Sequence, residues 1–440
     1  MDYPRPNPSF RLQLTRKSPL LGHRTTDTLP DKTDVTIIGS GLSGAATAYF
    51  LLTAGPEDRR PRSVTLLEAR EACDGATARN GGHCRPDCYR GASDSIYADF
   101  GQEQALKIIQ NEMDTLNLVE EIIAKEGIDC DFWRAFSYGA PPQTLSPHLT
   151  LNLGIVTPIL DPTQARETTR CQAALAAYKC PAGALFPRKL VLHLLGLCAE
   201  KYGMNLQTRT PVRRVVPRIS SAGGWRVETD RGTVETETVV YATNAYTATL
   251  LPEFVGHIWP FKGQCAAVVP PEAYAGPNMF RETYGLAPGD YLIQRPTDGV
   301  IILGGRRRSV PVERLLSNTD DAHVDPQRME ALKKALPRYF AGWGEDSGLA
   351  VGEGLVHAWT DIPYVGELHD KPGAFICAGH HGHGMARVMT CARGLATLIQ
   401  GGSWESTGLP ECFRPTRERL ARSRQVATHN IGKQEVIAEA

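Results

Sequence analysis

The chain has 440 residues, 42% of them hydrophobic, with 48 basic against 48 acidic side chains. That length exceeds one compact core and calls for two interleaved or consecutive domains. The cancelled charge leaves no basic excess for nucleic acid or an anionic membrane surface, so a small-molecule substrate is the expected partner.

Residues 1–33 read as a proline-rich N-terminal arm, with Pro4, Pro6 and Pro8 where a secretory signal would need an apolar run. No window reaches the roughly 18 apolar residues of a membrane helix, and the C-terminal EVIAEA carries no retention or peroxisomal address. The eleven cysteines lack paired C-x-x-C spacing and zinc-site histidines, so no metal is expected and free thiols in a cytoplasmic setting are.

Asp34–Ile38 is a β-branched apolar run, as in a buried parallel strand. It runs into Gly39-Ser40-Gly41-Leu42-Ser43-Gly44, then a helix closed by Gly55-Pro56, then a second strand ending at Glu68. This strand, glycine turn, helix and strand form a dinucleotide-binding βαβ unit. Gly39 permits the tight turn, Gly41 lets backbone N–H groups approach a pyrophosphate, and Gly44 lets the helix pack close to the sheet. The helix N-terminus favours the phosphates. Glu68 follows the last glycine at about the ~20-residue spacing of a ribose-binding carboxylate, which would repel a 2′-phosphate and makes NADP unsuitable.

Residues 69–90 form a glycine-rich loop, and a long amphipathic helix is expected over about 99–126. A helix over Phe186–Tyr202 and a strand pair over 225–241 follow, with His193 read as a core residue of that helix. Strands are expected over 258–269, 291–294 and 300–303. A final buried strand, 375–378, enters Gly379-His380-His381-Gly382-His383-Gly384 and a helix near Met385. A metal site built on these histidines lacks added ligands at suitable spacing.

The loop Gly75-Ala76-Thr77-Ala78-Arg79-Asn80-Gly81-Gly82-His83 resembles the flavin-side loop of the D-amino-acid oxidase superfamily of FAD-dependent oxidoreductases, in its glycine oxidase and γ-glutamylputrescine oxidase branch. Val239–Tyr246, Pro260–Gln264, Trp359–Gly366 and Gly379–Met385 resemble further motifs of the family, in order over about 34–400. The arm and the Asn-Ala-Tyr segment look like fungal members. The resemblance implies non-covalent FAD, since the cysteine that carries flavin in the sarcosine-oxidase branch falls on His357. Beyond the glycine turn and Glu68, it implies cofactor contacts at Ala69, Arg70, Ala76, Thr77, Arg79, Asn80, Gly81, Gly82, Val212, Ala242, Thr243, Gly379, His381, Gly382, His383, Gly384 and Met385.

The implied fold is α/β. A Rossmann-type FAD-binding domain (34–90, 181–255 and 346–411) is interleaved with an α+β substrate domain holding a mainly antiparallel sheet (91–180 and 256–345). Residues 412–440 form a tail. The implied activity is oxidation of a CH–NH substrate by hydride transfer to flavin N5, with oxygen or another compound as final acceptor. The oxygen-activating lysine of the sarcosine-oxidase branch would fall near Ile302, and the carboxylate-binding arginine of glycine oxidase near His357 or Gly382. His83, His357 and His383 are the catalytic candidates and Trp359 a pocket wall. A CH–OH substrate, a sugar or intermediate as in kojic acid-type fungal metabolism, is the alternative. It would need a histidine base with a pKa near neutrality, whereas a neutral amine needs no strong base. A non-catalytic or NAD-binding protein that keeps the βαβ unit is the third reading.

Overall fold

A computed structural model describes residues 14–88, 92–140, 154–219, 223–286, 289–343 and 350–421. Residues 1–13 of the expected arm and 422–440 of the expected tail lie outside the described residues.

Two sheets organise the chain. The first runs in the order Tyr364–Glu367, Ala374–Ala378, Gly232–Tyr241, Lys32–Ile38, Val64–Leu67, Asn205–Gln207. Lys32–Ile38 is central because Val35, Ile37 and Ile38 are all buried, with Ile37 beside both Val240 and Leu66 in parallel register. The helix Leu42–Thr53 is buried along ten successive residues. A helix apolar on every side needs partners all round. It finds them in Pro187–Tyr202 and Val388–Ile399, which pack against it over the sheet.

The second sheet runs Ala350–Trp359, Trp259–Val268, Ile301–Gly304, Asp290–Gln294, Thr283–Leu286, Trp133–Ala140, Ala177–Ala184, His83–Cys84. It is antiparallel except where Thr283–Leu286 pairs with Trp133–Ala140. The helix Pro326–Tyr339 covers it, its N-terminus capped by Asp325, whose carboxylate accepts from Gln327 N and Arg328 N. Tyr274, Phe280, Tyr284, Phe340 and Trp343 fill the core beneath.

Several expectations shift. The borders at 180/181 and 345/346 do not divide the sheets, because Ala177–Ala184 and Ala350–Trp359 both belong to the second. The long helix begins earlier, at Ala92, and kinks at Gly101, where φ is 81°. The part of the arm described here is fastened to the first sheet: Leu20 is buried and Thr25 N donates to Leu206 O at 3.0 Å. His193 is exposed rather than buried in the core. No described helix is long and apolar enough to cross a membrane.

Candidate active site

The two sheets enclose a cavity of about 750 Å³, walled by the glycine turn, the 75–87 loop, the second sheet and the histidine bend. Of the residues expected at the site, Gly39, Ser40, Gly41, Leu42, Ser43, Glu68, Ala69, Arg70, Ala76, Thr77, Asn80, Gly81 and His83 line it from the N-terminal side. Val212, Ala242, Thr243, His357, His381, Gly382, His383, Gly384 and Met385 line it from later elements.

Four expected contacts stand outside that wall. Gly44 and Gly39 meet each other: a Cβ on Gly44 would lie 1.9 Å from Gly39 O. Gly82 backs onto Leu185 O, and Gly379 onto Thr360 and Tyr364. Arg79 is corrected from a cofactor contact to an internal ion-pair residue. It is 1% exposed, with its guanidinium 3.5 Å from Asp74 and 3.8 Å from Asp321 and donating to Asp321 O at 3.1 Å. Arg70 completes the cluster, donating to both oxygens of Asp321 at 3.0 and 2.9 Å.

At the nucleotide end the helix Leu42–Thr53 has no side-chain cap and no acidic residue in its first turn. Leu42 N donates to Thr77 Oγ1 at 3.1 Å, and the turn faces the cavity. Such an open N-terminus is an anion site. Glu68 is held rigidly: Oε2 accepts from Ser40 N at 2.9 Å and Ser40 Oγ at 2.6 Å, and Oε1 from Arg70 N at 2.8 Å. Glu68 lines the cavity, and its carboxylate has acceptor capacity beyond these three bonds for hydroxyl donors. Glu68→Ala is expected to weaken dinucleotide affinity about 10- to 100-fold, measured by flavin fluorescence titration; unchanged affinity would remove Glu68 from the ribose site.

At the other end a set of rings lines the wall. Phe261 and Trp359 stack at 4.7 Å, and Trp359 meets the His381 ring at the same separation. His357 Nδ1 donates to Ala358 O at 3.0 Å, leaving Nε2 as its acceptor. His381 Nδ1 accepts from Thr360 N at 3.2 Å. Burial drives the His357 pKa down to about 4 and pushes His381 and His383 below the usual histidine range. His83 is tied by a 2.6 Å hydrogen bond between Nε2 and Thr283 Oγ1. Among the described residues, no cluster of three His, Cys, Asp or Glu side chains forms a metal site.

The two ends meet directly. Ser43 Oγ, on the phosphate-side helix, and His380 Nε2, in the bend, hydrogen-bond at 3.2 Å. Burial lowers the His380 pKa to about 3. The unfolded chain therefore takes up a proton below pH 6.5 that the folded chain refuses, so stability is complete above pH 6.5 and falls as pH drops towards about 3. His380→Asn is expected to flatten that decline in Tm between pH 6.5 and 4, read by thermal melts across pH; a parallel curve would exclude His380 as its source.

Arg85, Asp87 and Tyr291, to which the sequence assigns no site role, also line the cavity, as do Tyr246 and Gln264 from the resembling motifs and Arg307 from the run Arg306–Arg308. A signal existed for the first two: His83-Cys84-Arg85-Pro86-Asp87-Cys88 alternates, so His83, Arg85 and Asp87 share one face.

Comparison with known proteins agrees with this geometry. Residues 34–398 match the family model "DAO: FAD dependent oxidoreductase". The chain is 24% identical over 395 residues to a probable oxidoreductase OrdL of Rhizobium meliloti, covering 85% of this chain and 84% of that protein. It is 25% identical over 368 residues to the glycine oxidase of Geobacillus kaustophilus, covering 80% and 89%. The crystal structure of glycine oxidase from that organism superposes with a TM-score of 0.68 at 21% identity, covering 88% of this chain and 99% of the other. That of L-proline dehydrogenase from P. horikoshii gives 0.71 at 20%, covering 89% and 99%. FAD fits the residues present: the open helix N-terminus and Glu68 suit its diphosphate and ribose, and the ring-lined bend suits its flavin. With a match spanning residues 34–398, the chain belongs to the DAO family of FAD-dependent oxidoreductases.

Proposed function

We propose that this protein oxidises a CH–NH substrate, an amine or an amino-acid-like compound. The low basicity of His357, His381 and His383, three of the histidines that line the cavity, carries the reading. Removing hydride from an alcohol calls for a base with a pKa near neutrality. The His357 pKa sits at about 4, and His381 and His383 are held below their ordinary value by burial. Such weak bases suit a neutral amine, whose nitrogen lone pair assists the loss of hydride without prior deprotonation. Relatives named glycine oxidase and L-proline dehydrogenase point to the same bond type.

FAD, when bound, supplies the acceptor for the hydride that leaves the carbon next to nitrogen. The chain's own residues orient and dry the site. Phe261, Trp359 and Tyr291 present apolar faces, and His357, with its free Nε2, offers a hydrogen-bond acceptor in the same cavity. His83 is fixed against Thr283 and positions the wall rather than swinging.

The position expected for an oxygen-activating lysine, Ile302, is a buried strand residue. Lys262 is drawn to Asp320 at 3.5 Å. We therefore expect slow reoxidation by oxygen and faster reoxidation by an artificial acceptor.

The deciding experiment releases the cofactor with acid, identifies it, and follows flavin bleaching under nitrogen across amines, amino acids and polyols. Bleaching by amines or amino acids supports the reading. Bleaching by polyols alone transfers the protein to the CH–OH alternative.

A further inference from the structure

The segment after the second strand of the nucleotide fold carries Glu68, Ala69 and Arg70, and all three line the cavity. Residues 207–210 hold it from one side. Glu68 N donates to Gln207 O at 3.0 Å, Thr210 N to Glu68 O at 2.7 Å and Arg209 N to Arg70 O at 2.9 Å. Glu71, the next residue, is not part of the cavity wall. Its carboxylate accepts from Arg209 Nε at 2.6 Å and from Gly22 N. Gly22 belongs to the N-terminal arm, so this one carboxylate ties the arm to the segment that carries Glu68.

The arm is seated firmly around that contact. Gly22 and Arg209 both take left-handed backbone, with φ of 63° and 50°. An arginine seldom keeps such a conformation unless its surroundings hold it. Here its N–H is bound to Arg70 O, and its guanidinium lies against Gly22, where a Cβ would come within 3.4 Å of Nη2. Beyond Gly22 the arm adds itself to Asn205–Gln207, the last strand on that side of the first sheet. Arg24 pairs with Gln207 in antiparallel sense, Thr25 N donates to Leu206 O and Thr208 N to His23 O, both at 3.0 Å. Arg231 closes the patch, donating to Gln207 Oε1 at 2.6 Å and to Asp27 O at 2.8 Å.

We propose that the docked arm is a positioning element of the FAD site, acting through Glu71. By fixing Glu71 from outside the cavity, it holds Glu68 and Arg70 in the geometry that the nucleotide end requires. Arm docking and FAD binding then reinforce each other. Linkage makes the coupling reciprocal: the factor by which the docked arm favours FAD equals the factor by which FAD favours the docked arm. The Glu71–Arg209 pair is partly exposed, its side chains 24% and 64% accessible, so the coupling is modest, about 5- to 10-fold. It concerns the cofactor and holds whichever substrate is oxidised.

The test is hydrogen exchange of the wild-type protein with and without FAD. The amides of Gly22, Thr25 and Thr208, all donors in the docked arm's contacts, should exchange about 5- to 10-fold more slowly once FAD is loaded. Leu420 N donates to Thr416 O in the C-terminal segment beside Tyr364–Glu367, the opposite edge strand, and should not change. Equal exchange in the two states, or equal slowing at Leu420, overturns the proposal without requiring any variant to fold. Glu71→Ala should weaken FAD by the same factor in flavin fluorescence titration and abolish the FAD dependence of exchange at Gly22 and Thr25. The visible spectrum of the FAD-saturated variant should match the wild type. Glu71→Gln, which keeps an acceptor, should lose less. Gly22→Val, whose β-branched side chain opposes a φ of 63°, should reproduce the loss from the arm's side. A folded Glu71→Ala protein with wild-type FAD affinity would also overturn the proposal, since it leaves Glu71 a role in fastening the arm alone.

Discussion

Gly44→Ala is expected to cost the protein its cofactor. The added methyl would sit 1.9 Å from Gly39 O and 3.0 Å from Gly39 C, with Ile37 Cγ2 at 3.3 Å. The obstacle is backbone, so no rotamer change relieves it. The helix Leu42–Thr53 must move away from the strand Lys32–Ile38, and its N-terminal N–H groups move with it. Overpacking of this kind costs about 1–3 kcal/mol, and a backbone clash lies at the upper end. Loss of the aligned phosphate site should weaken FAD by about 100-fold or more. Denaturant melts of the apoprotein measure the first effect and flavin fluorescence titration the second. An alanine variant that binds FAD normally would mean the helix is not seated against Gly39 as described.

Asp321→Asn should have the largest effect on stability away from the cavity. Asp321 is 1% exposed and binds Arg70 through both oxygens, with Arg79, also 1% exposed, 3.8 Å away. Asp74 is the second carboxylate of the cluster and has Arg188 at 3.8 Å as well. Neutralising Asp321 leaves the buried guanidinium groups of Arg79 and Arg188 and the partly exposed one of Arg70 facing a single carboxylate. Breaking a buried pair by removing one partner costs about 3–5 kcal/mol. Replacing Arg79 alone by Met should also destabilise, and the Asp321→Asn, Arg79→Met double variant should lose less than the sum of the two. Additive losses in urea melts would show that the two residues do not act together.

How far the sequence could reveal these features follows from how local they are. The glycine turn, its flanking strands and the histidine bend were legible because each is a contiguous run whose backbone demands are written in glycine and β-branched residues. The ion cluster was not, since Asp74, Arg79, Arg188 and Asp321 come together only in the folded chain. Arg79 was therefore read as a flavin contact on loop resemblance, although its guanidinium is consumed by the cluster. The strands Trp133–Ala140 and Ala177–Ala184 escaped because WRAFSYGA and AYKCPAGA carry glycine, proline and small residues in place of a β-branched alternation. The helix Pro326–Tyr339 was overlooked despite its Asp325-Pro326 start signal, with Pro337 near its end obscuring the pattern. Asp87 lay beyond the point where the recognised loop stops, and only the alternation after His83 marks it.

The bond between Ser43 and His380 spans 337 positions of sequence. The strand Ala374–Ala378 that leads to His380 is an interior member of the first sheet, lying between Gly232–Tyr241 and Tyr364–Glu367. A nascent chain stopped before residue 374 thus has its glycine turn but lacks the histidine bend that lines the same cavity, and residues 239–241 of Gly232–Tyr241 are without their neighbour. The cavity wall is therefore complete only once residues up to Val388 are in place.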